Sequence, residues 1–560
     1  MLDLAVLVAY LVGIVALGCW VGVRHRQEGS QSKEYFLAGG RLRWPVIGLA
    51  LFSTNISTIH LVALAQEGYL NGLLFGNFEL MAGFTLVLLA LFFAPFYVRS
   101  RVATLPDFLE KRYSRASRDW LAVVSIVSAI FIHIGFTLYT AALVMHGLLG
   151  IPKDYIVWTI VAIAGLTGLY TVIGGLIAVV TTEAIQTIVL LAGSFCVAFF
   201  AYRASGGWSG IEETLRANGE LVKLTMLRTP QEPGGLPWYG VLLGYPVIGI
   251  WYWCTDQTIV QRVLGAKSED HARVGALFAG YIKILPVFIL VLPGLMCYVM
   301  VRQGAFGGLE PARSEDAYSF MIEHIMPIGL RGVVAAALLA AAMSTVSGAL
   351  NSVATLFSYD LFRRWFPSMP EQRLVTVGRI VTLASMIVAV SWSPFVSQFQ
   401  SIFGMMATMI CYIAPPITAT FLLGVFWKGA SSKGSIVTLT GGFVLGVCAF
   451  VISLSGQENM ALLRPLHDGL LHLLGGGSFA HVLVDMHWMV ASFWLCVLCA
   501  AIHIVVSVAT PEPLTEEKAA LVWRNPLDAL TSPGWRGLGN YKVLAAGLLA
   551  VLVVIYTLLA

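Results

Sequence analysis

Apolar runs of about twenty residues recur along the whole chain, the length a helix needs to cross the hydrocarbon core of a bilayer. They predict an all-α polytopic membrane protein with fourteen spans, near residues 2–22, 45–66, 72–98, 119–149, 155–177, 182–203, 237–263, 270–301, 326–362, 374–395, 399–425, 433–455, 484–508 and 541–560. Two runs are interrupted by polar residues in their middle. The first, Leu49 to His60, carries Ser53, Thr54, Asn55, Ser57 and Thr58; the second, Ala340 to Gly348, carries Ser344, Thr345 and Ser347. Polar groups deep in lipid are costly, so such patches are expected to face a site. Hydroxyl oxygens, joined by carbonyls freed where a helix unwinds, make a cage suited to a small hard cation such as sodium. The pattern points to an ion-coupled carrier.

Composition agrees with a membrane chain. Hydrophobic residues are 58% of the 560 and charged residues 11%, against roughly half and a quarter in soluble domains. An even number of spans puts both termini on one side. With the N-terminus outside, the segments 23–44, 99–118, 262–273, 363–379, 428–433 and 509–542 are cytoplasmic and hold 24 of the 34 Lys and Arg residues. That bias is what the positive-inside rule requires, so the net charge of +4 reports topology. No basic, aromatic-interleaved stretch indicates a nucleic-acid partner. The first run lacks a small-residue cleavage site and reads as a retained helix.

The eight cysteines lie in or beside apolar runs and read as packing residues. No histidine spacing, phosphate loop, nucleophile elbow or catalytic pair is present, so an enzyme is not expected. The loops 204–236, 456–483 and 509–540 are too short and irregular for domains. The outer loops carry no N-x-S/T acceptor site, the only match, Asn55, lying within a span, which favours a bacterial inner (plasma) membrane.

The ionisable residues well inside spans are His60, Glu79, His133, Glu183, Asp256 and Lys283, each a candidate for function in a membrane. Glu79 and Lys283 are expected to line a polar cavity. His133, alone on an apolar helix, reads as a helix-to-helix hydrogen bond, and Asp256 as a partner of the nearby Arg262 or a functional group. Trp251-Tyr252-Trp253 offers aromatic faces able to stack on the C–H surface of a sugar ring. The breaks at Asn55 and Trp253 lie five spans apart, the arrangement of inverted-repeat transporters whose site is at the midplane.

Three segments in order now carry a resemblance: Gly174-Gly175-Leu176-Ile177-Ala178-Val179-Val180-Thr181-Thr182-Glu183-Ala184-Ile185-Gln186-Thr187, Tyr252-Trp253-Cys254-Thr255-Asp256-Gln257 through Gln261-Arg262 to Lys267, and Leu350-Asn351-Ser352-Val353-Ala354-Thr355-Leu356-Phe357. With them the chain resembles the sodium/solute symporter family, which includes the sodium/glucose cotransporters. The resemblance implies one transporter domain over 1–560 with a leucine-transporter-like core: an extra helix at 2–22, inverted five-helix repeats at 45–203 and 237–425, and additional C-terminal helices at 433–560. It implies a sodium site of the main-chain oxygens of Ser53, Ile56 and Ala341 with the side chains of Ser344 and Thr345. Glu183 and Ser347 fit a second sodium site, but Gly348 stands where members with that site have Ser. For solute, the sugar-carrying branch is similar at Asn55, His60, Glu79, Trp253 and Lys283, with Tyr252 as inner gate; Ala407 replaces a sugar-binding Gln. The expected activity is sodium-driven import of a small polar solute, a sugar or polyol first. Sialic acid, an amino acid, another organic solute, or a non-accumulating sensor are the alternatives.

Overall fold

The protein is described by a computed structural model over residues 2–24, 35–232, 236–311, 314–399, 402–455, 464–473 and 486–560. Part of the expected segment 23–44 and most of the loop 456–483 lie outside the described residues. Among the described residues the regular structure is helical, apart from an isolated bridge between Leu42 and Ala266.

Among the described residues, eleven helical stretches are long and apolar enough to cross a membrane, against fourteen expected spans, and two of these stretches each hold two helices joined at a break. The difference has local causes. Thr58–Ser100 runs on from the second expected span into the third through a tight 3₁₀ turn at Gly72–Gly76. The expected spans 155–177 and 182–203 are two helices that follow one another within Ile156–Ala204, joined at Gly175 with φ 60° and ψ −157°. Only glycine adopts that backbone readily. The expected span 237–263 is divided at Asp256, whose extended backbone ends one helical segment and caps the next, Gln257–Leu264. Leu105–Arg112, Gly207–Ala217 and Ala317–Ile325 are short helices within segments read as loops.

Leu330–Leu356 is the centre of the molecule, and almost all of it is buried. Its run of alanines and serines lets neighbouring backbones approach closely, as small residues do in membrane interfaces. It packs against Ile156–Ala204, Leu2–Arg24 and Trp44–Asn55. Few residues of Leu2–Arg24, Ser432–Ser455 and Tyr541–Leu559 are buried, and exposed Val and Leu side chains lie on their outer faces. The polar breaks therefore lie on the inner helices, shielded from lipid.

Candidate functional site

The helix Trp44–Asn55 stops because Ile56 (φ −78°, ψ 96°) and Ser57 (φ −92°, ψ 173°) are extended. Ser57 and His60 then form a capping box that starts Thr58–Asn71. Interrupting the i→i−4 ladder leaves the last carbonyls of the first segment without helical donors. Two of them meet hydroxyls of the central helix. Ser344 Oγ donates to the carbonyl of Ser53 at 2.8 Å and to that of Ala341 at 3.0 Å. Thr345 Oγ1 donates to Thr54 at 3.1 Å and Ala341 at 3.2 Å. Four of the five expected sodium ligands, Ser53, Ala341, Ser344 and Thr345, thus converge. Ile56 sits at the break, outside these bonds; the carbonyl of Thr54, which sequence reasoning did not name, is within them. Ser53 Oγ is buried with no hydrogen-bond partner among the described residues. Carbonyl and hydroxyl oxygens without a fixed carboxylate make a donor set that fits a monovalent hard cation.

The other proposed ion ligands lie close by but are otherwise engaged. Glu183 accepts from Thr54 Oγ1 at 2.9 Å and from Arg262 Nε at 3.2 Å, and Arg262 Nη2 binds the same carboxylate. Arg262, read as part of a cytoplasmic segment, is fully buried and also donates to the carbonyl of Thr258. Gly348 makes this possible: a Cβ there would collide with the guanidinium and crowd Glu183. Ser347 Oγ donates to the carbonyl of Ser344 at 3.1 Å.

Beside the cage is a cavity of about 110 Å³ lined by all six residues expected to touch solute, Asn55, His60, Glu79, Tyr252, Trp253 and Lys283. Lys283 organises it. Its ammonium donates to Asn55 Oδ1 at 2.6 Å and to Glu79, and lies 5.7 Å from the centre of the Trp253 ring. Such a buried pair needs these further contacts to offset the loss of hydration. His60 Nδ1 is occupied by the backbone amide of Ser57 at 3.3 Å, which fixes the ring at the cavity wall. Ala407 contributes a methyl group to that wall, and Thr345 reaches the cavity from the cage.

Sequence reasoning missed three features here. Phe78 and Phe403 line the cavity and meet edge to face, their centroids 5.6 Å apart; the only available signal was Phe78 preceding Glu79. His133 also lines the cavity. Asp256 pairs with His133, not with Arg262.

Residues 35–442 match the sequence profile described as the sodium:solute symporter family. Sodium/myo-inositol cotransporter 2 of Sus scrofa is 34% identical over 498 residues, covering 83% of this chain and 73% of the relative. Sodium/glucose cotransporter 4 of Mus musculus is 32% identical over 554 residues, covering 93% and 77%. Among solved structures, a substrate-bound, outward-open Na⁺-coupled sialic acid symporter superposes with a TM-score of 0.73 at 21% identity, covering 91% of this chain and 98% of its own. A nucleobase-cation-symport-1 family transporter in a closed conformation gives 0.53 at 14% identity, covering 87% and 98%.

Proposed function

Because the chain belongs to the sodium:solute symporter family, and is thus a multi-pass membrane transporter and not an enzyme, we propose that it couples inward sodium movement to import of a sugar or polyol. The relatives that carry myo-inositol and glucose in their names support this solute class. So does the chemistry of the cavity. Asn55 and Glu79 supply oxygens that accept from hydroxyls, Lys283 donates, and Trp253 offers a stacking face. A neutral polyhydroxyl ligand satisfies that set, whereas an analogue lacking a hydroxyl leaves a buried group unpaired.

One observation carries the coupling. Thr345 belongs to both places: its Oγ1 lies among the cage oxygens, and the residue lines the solute cavity. Sodium among the oxygens of Ser53, Thr54, Ala341, Ser344 and Thr345 draws Trp44–Asn55 and Leu330–Leu356 together. That fixes Thr345 and holds Asn55, the residue after Thr54, toward the solute. Sodium then has different affinity for different conformations of the carrier, the condition for coupling by alternating access. Phe78 and Phe403 close the cavity on one flank, and Tyr252 serves as the inner gate.

The orientation has both termini outside a plasma membrane of the bacterial inner-membrane type, supported by the Lys and Arg bias. The domain is one transporter unit, with inverted repeats at 45–203 and 237–425, flanked by the helix at 2–22 and those at 433–560. Uptake of labelled glucose, galactose, fucose, myo-inositol, sialic acid and proline into proteoliposomes, with an inward sodium gradient or with potassium substituted, tests the reading. Sodium-dependent accumulation of a sugar or polyol is expected; accumulation of proline alone removes the assigned roles of Glu79 and Lys283.

A further inference from the structure

His133 lies in a π-helical turn, Ala129–Ile134, between Arg115–Ser128 and Gly135–Leu149. Such turns re-aim side chains and concentrate at functional sites. A second one, Trp251–Thr255, carries Tyr252 and Trp253. The two turns face each other through their rings. The imidazole lies 6.4 Å from the Trp251 ring, nearly parallel at 17°, and 6.1 Å from the Tyr252 ring.

The imidazole is held at one edge. Its Nε2 is 3.3 Å from Asp256 Oδ2, and Asp256 is itself fixed because its Oδ1 accepts from the amide of Thr258 at 2.6 Å. His133 is 8% exposed and Asp256 7%. Yet neither this Nε2 nor Nδ1 makes a well-aimed hydrogen bond among the described residues, and the ring lines the solute cavity together with Thr137, one turn further on. A buried imidazole with unspent hydrogen-bonding capacity is costly unless something meets it there. The Lys283, Glu79 and Asn55 cluster lies on other helices, and no hydrogen bond joins it to His133.

We infer that His133, oriented by Asp256, is a second polar anchor for the solute and hydrogen-bonds a hydroxyl other than those read by Lys283, Glu79 and Asn55. The inference rests on the sugar or polyol reading. His133 binds the solute; Asp256 is a positioning residue, which keeps one nitrogen toward the carboxylate and leaves the other for the cavity. Two separated anchors make the site read the spacing of hydroxyls as well as their presence. A Phe at 133 retains the ring stack and removes both nitrogens.

The test uses the transported solute and its monodeoxy analogues in proteoliposomes of the full-length protein and of His133→Phe. The wild type should disfavour one analogue more than tenfold in apparent affinity, of the order expected when a buried partner is left unpaired. In His133→Phe that analogue and the parent solute should bind alike, with the parent's KM raised about tenfold. Discrimination at the other hydroxyls and half-saturation by sodium at saturating solute should be unchanged. Should His133→Phe not reach the membrane, His133→Gln is read the same way, with partial retention of discrimination expected. Undiminished discrimination at every hydroxyl in the folded variant overturns the inference. Transport of proline alone overturns the solute reading as well, and is seen in the wild type before any variant is made.

Discussion

Arg262 and Glu183 form an ion pair with no exposed surface on either side chain. A tethered guanidinium thus satisfies the carboxylate that a second sodium would need, in space left by the missing side chain of Gly348. We expect one sodium per solute, seen as a Hill coefficient of one for sodium-dependent uptake; a coefficient near two would show that Arg262 vacates the carboxylate during transport. One ion is enough. Moving it down roughly 100 mV releases about 2.3 kcal/mol, and a tenfold gradient adds about 1.4 kcal/mol, sufficient for accumulation of a few hundred-fold.

The same packing makes Gly348→Ala a stability variant. Its new Cβ would have to displace the guanidinium of Arg262 or the carboxylate of Glu183, both fully buried. A loss of about 1–3 kcal/mol is expected from such overpacking. Thermal unfolding of the purified protein in detergent checks this, and an unchanged midpoint would mean the pair relaxes freely.

Cage and cavity should separate by mutation. Thr345→Ala removes a cage oxygen and is expected to raise the sodium concentration for half-maximal uptake several-fold, with a smaller effect on solute KM at saturating sodium. Glu79→Ala should do the reverse. Equal loss of sodium dependence in both variants would deny that the two sites are distinct.

Lys283→Met leaves Glu79 buried without its cation and should cost about 3–5 kcal/mol of stability. The double variant Lys283→Met, Glu79→Met removes both charges and should regain most of the thermal midpoint, because well-packed apolar pairs replace buried ion pairs at little cost. It should remain inactive in solute uptake. If the double variant is no more stable than the single, the pair is not what Lys283 contributes.

Much of the site was legible because lipid makes polar residues conspicuous. The hydroxyl-rich breaks around Asn55 and Ser344 had no reason to exist in apolar helices unless they faced each other, and Glu79 and Lys283 needed partners. Pairing between distant segments was harder to read. Arg262 and Glu183 are 79 residues apart, and Arg262, at the end of an apolar run, looked like a cytoplasmic charge. His133 looked isolated because its partner, Asp256, belongs to another helix. That Thr345 would meet the carbonyl of Thr54 was not legible, because main-chain oxygens leave no mark in side-chain chemistry. Gly72 and Gly175 turn the chain near boundaries that the hydropathy pattern does show, whereas the break at Asp256 lies inside the expected span 237–263 and left no mark in it.

The most direct test of sodium coupling is to add the transported solute outside proteoliposomes at zero membrane potential and follow labelled solute and ²²Na⁺ together. Each solute taken up should bring one sodium with it, and solute should rise transiently above its outside concentration while the sodium gradient lasts. Solute uptake without solute-evoked ²²Na⁺ movement would contradict the account.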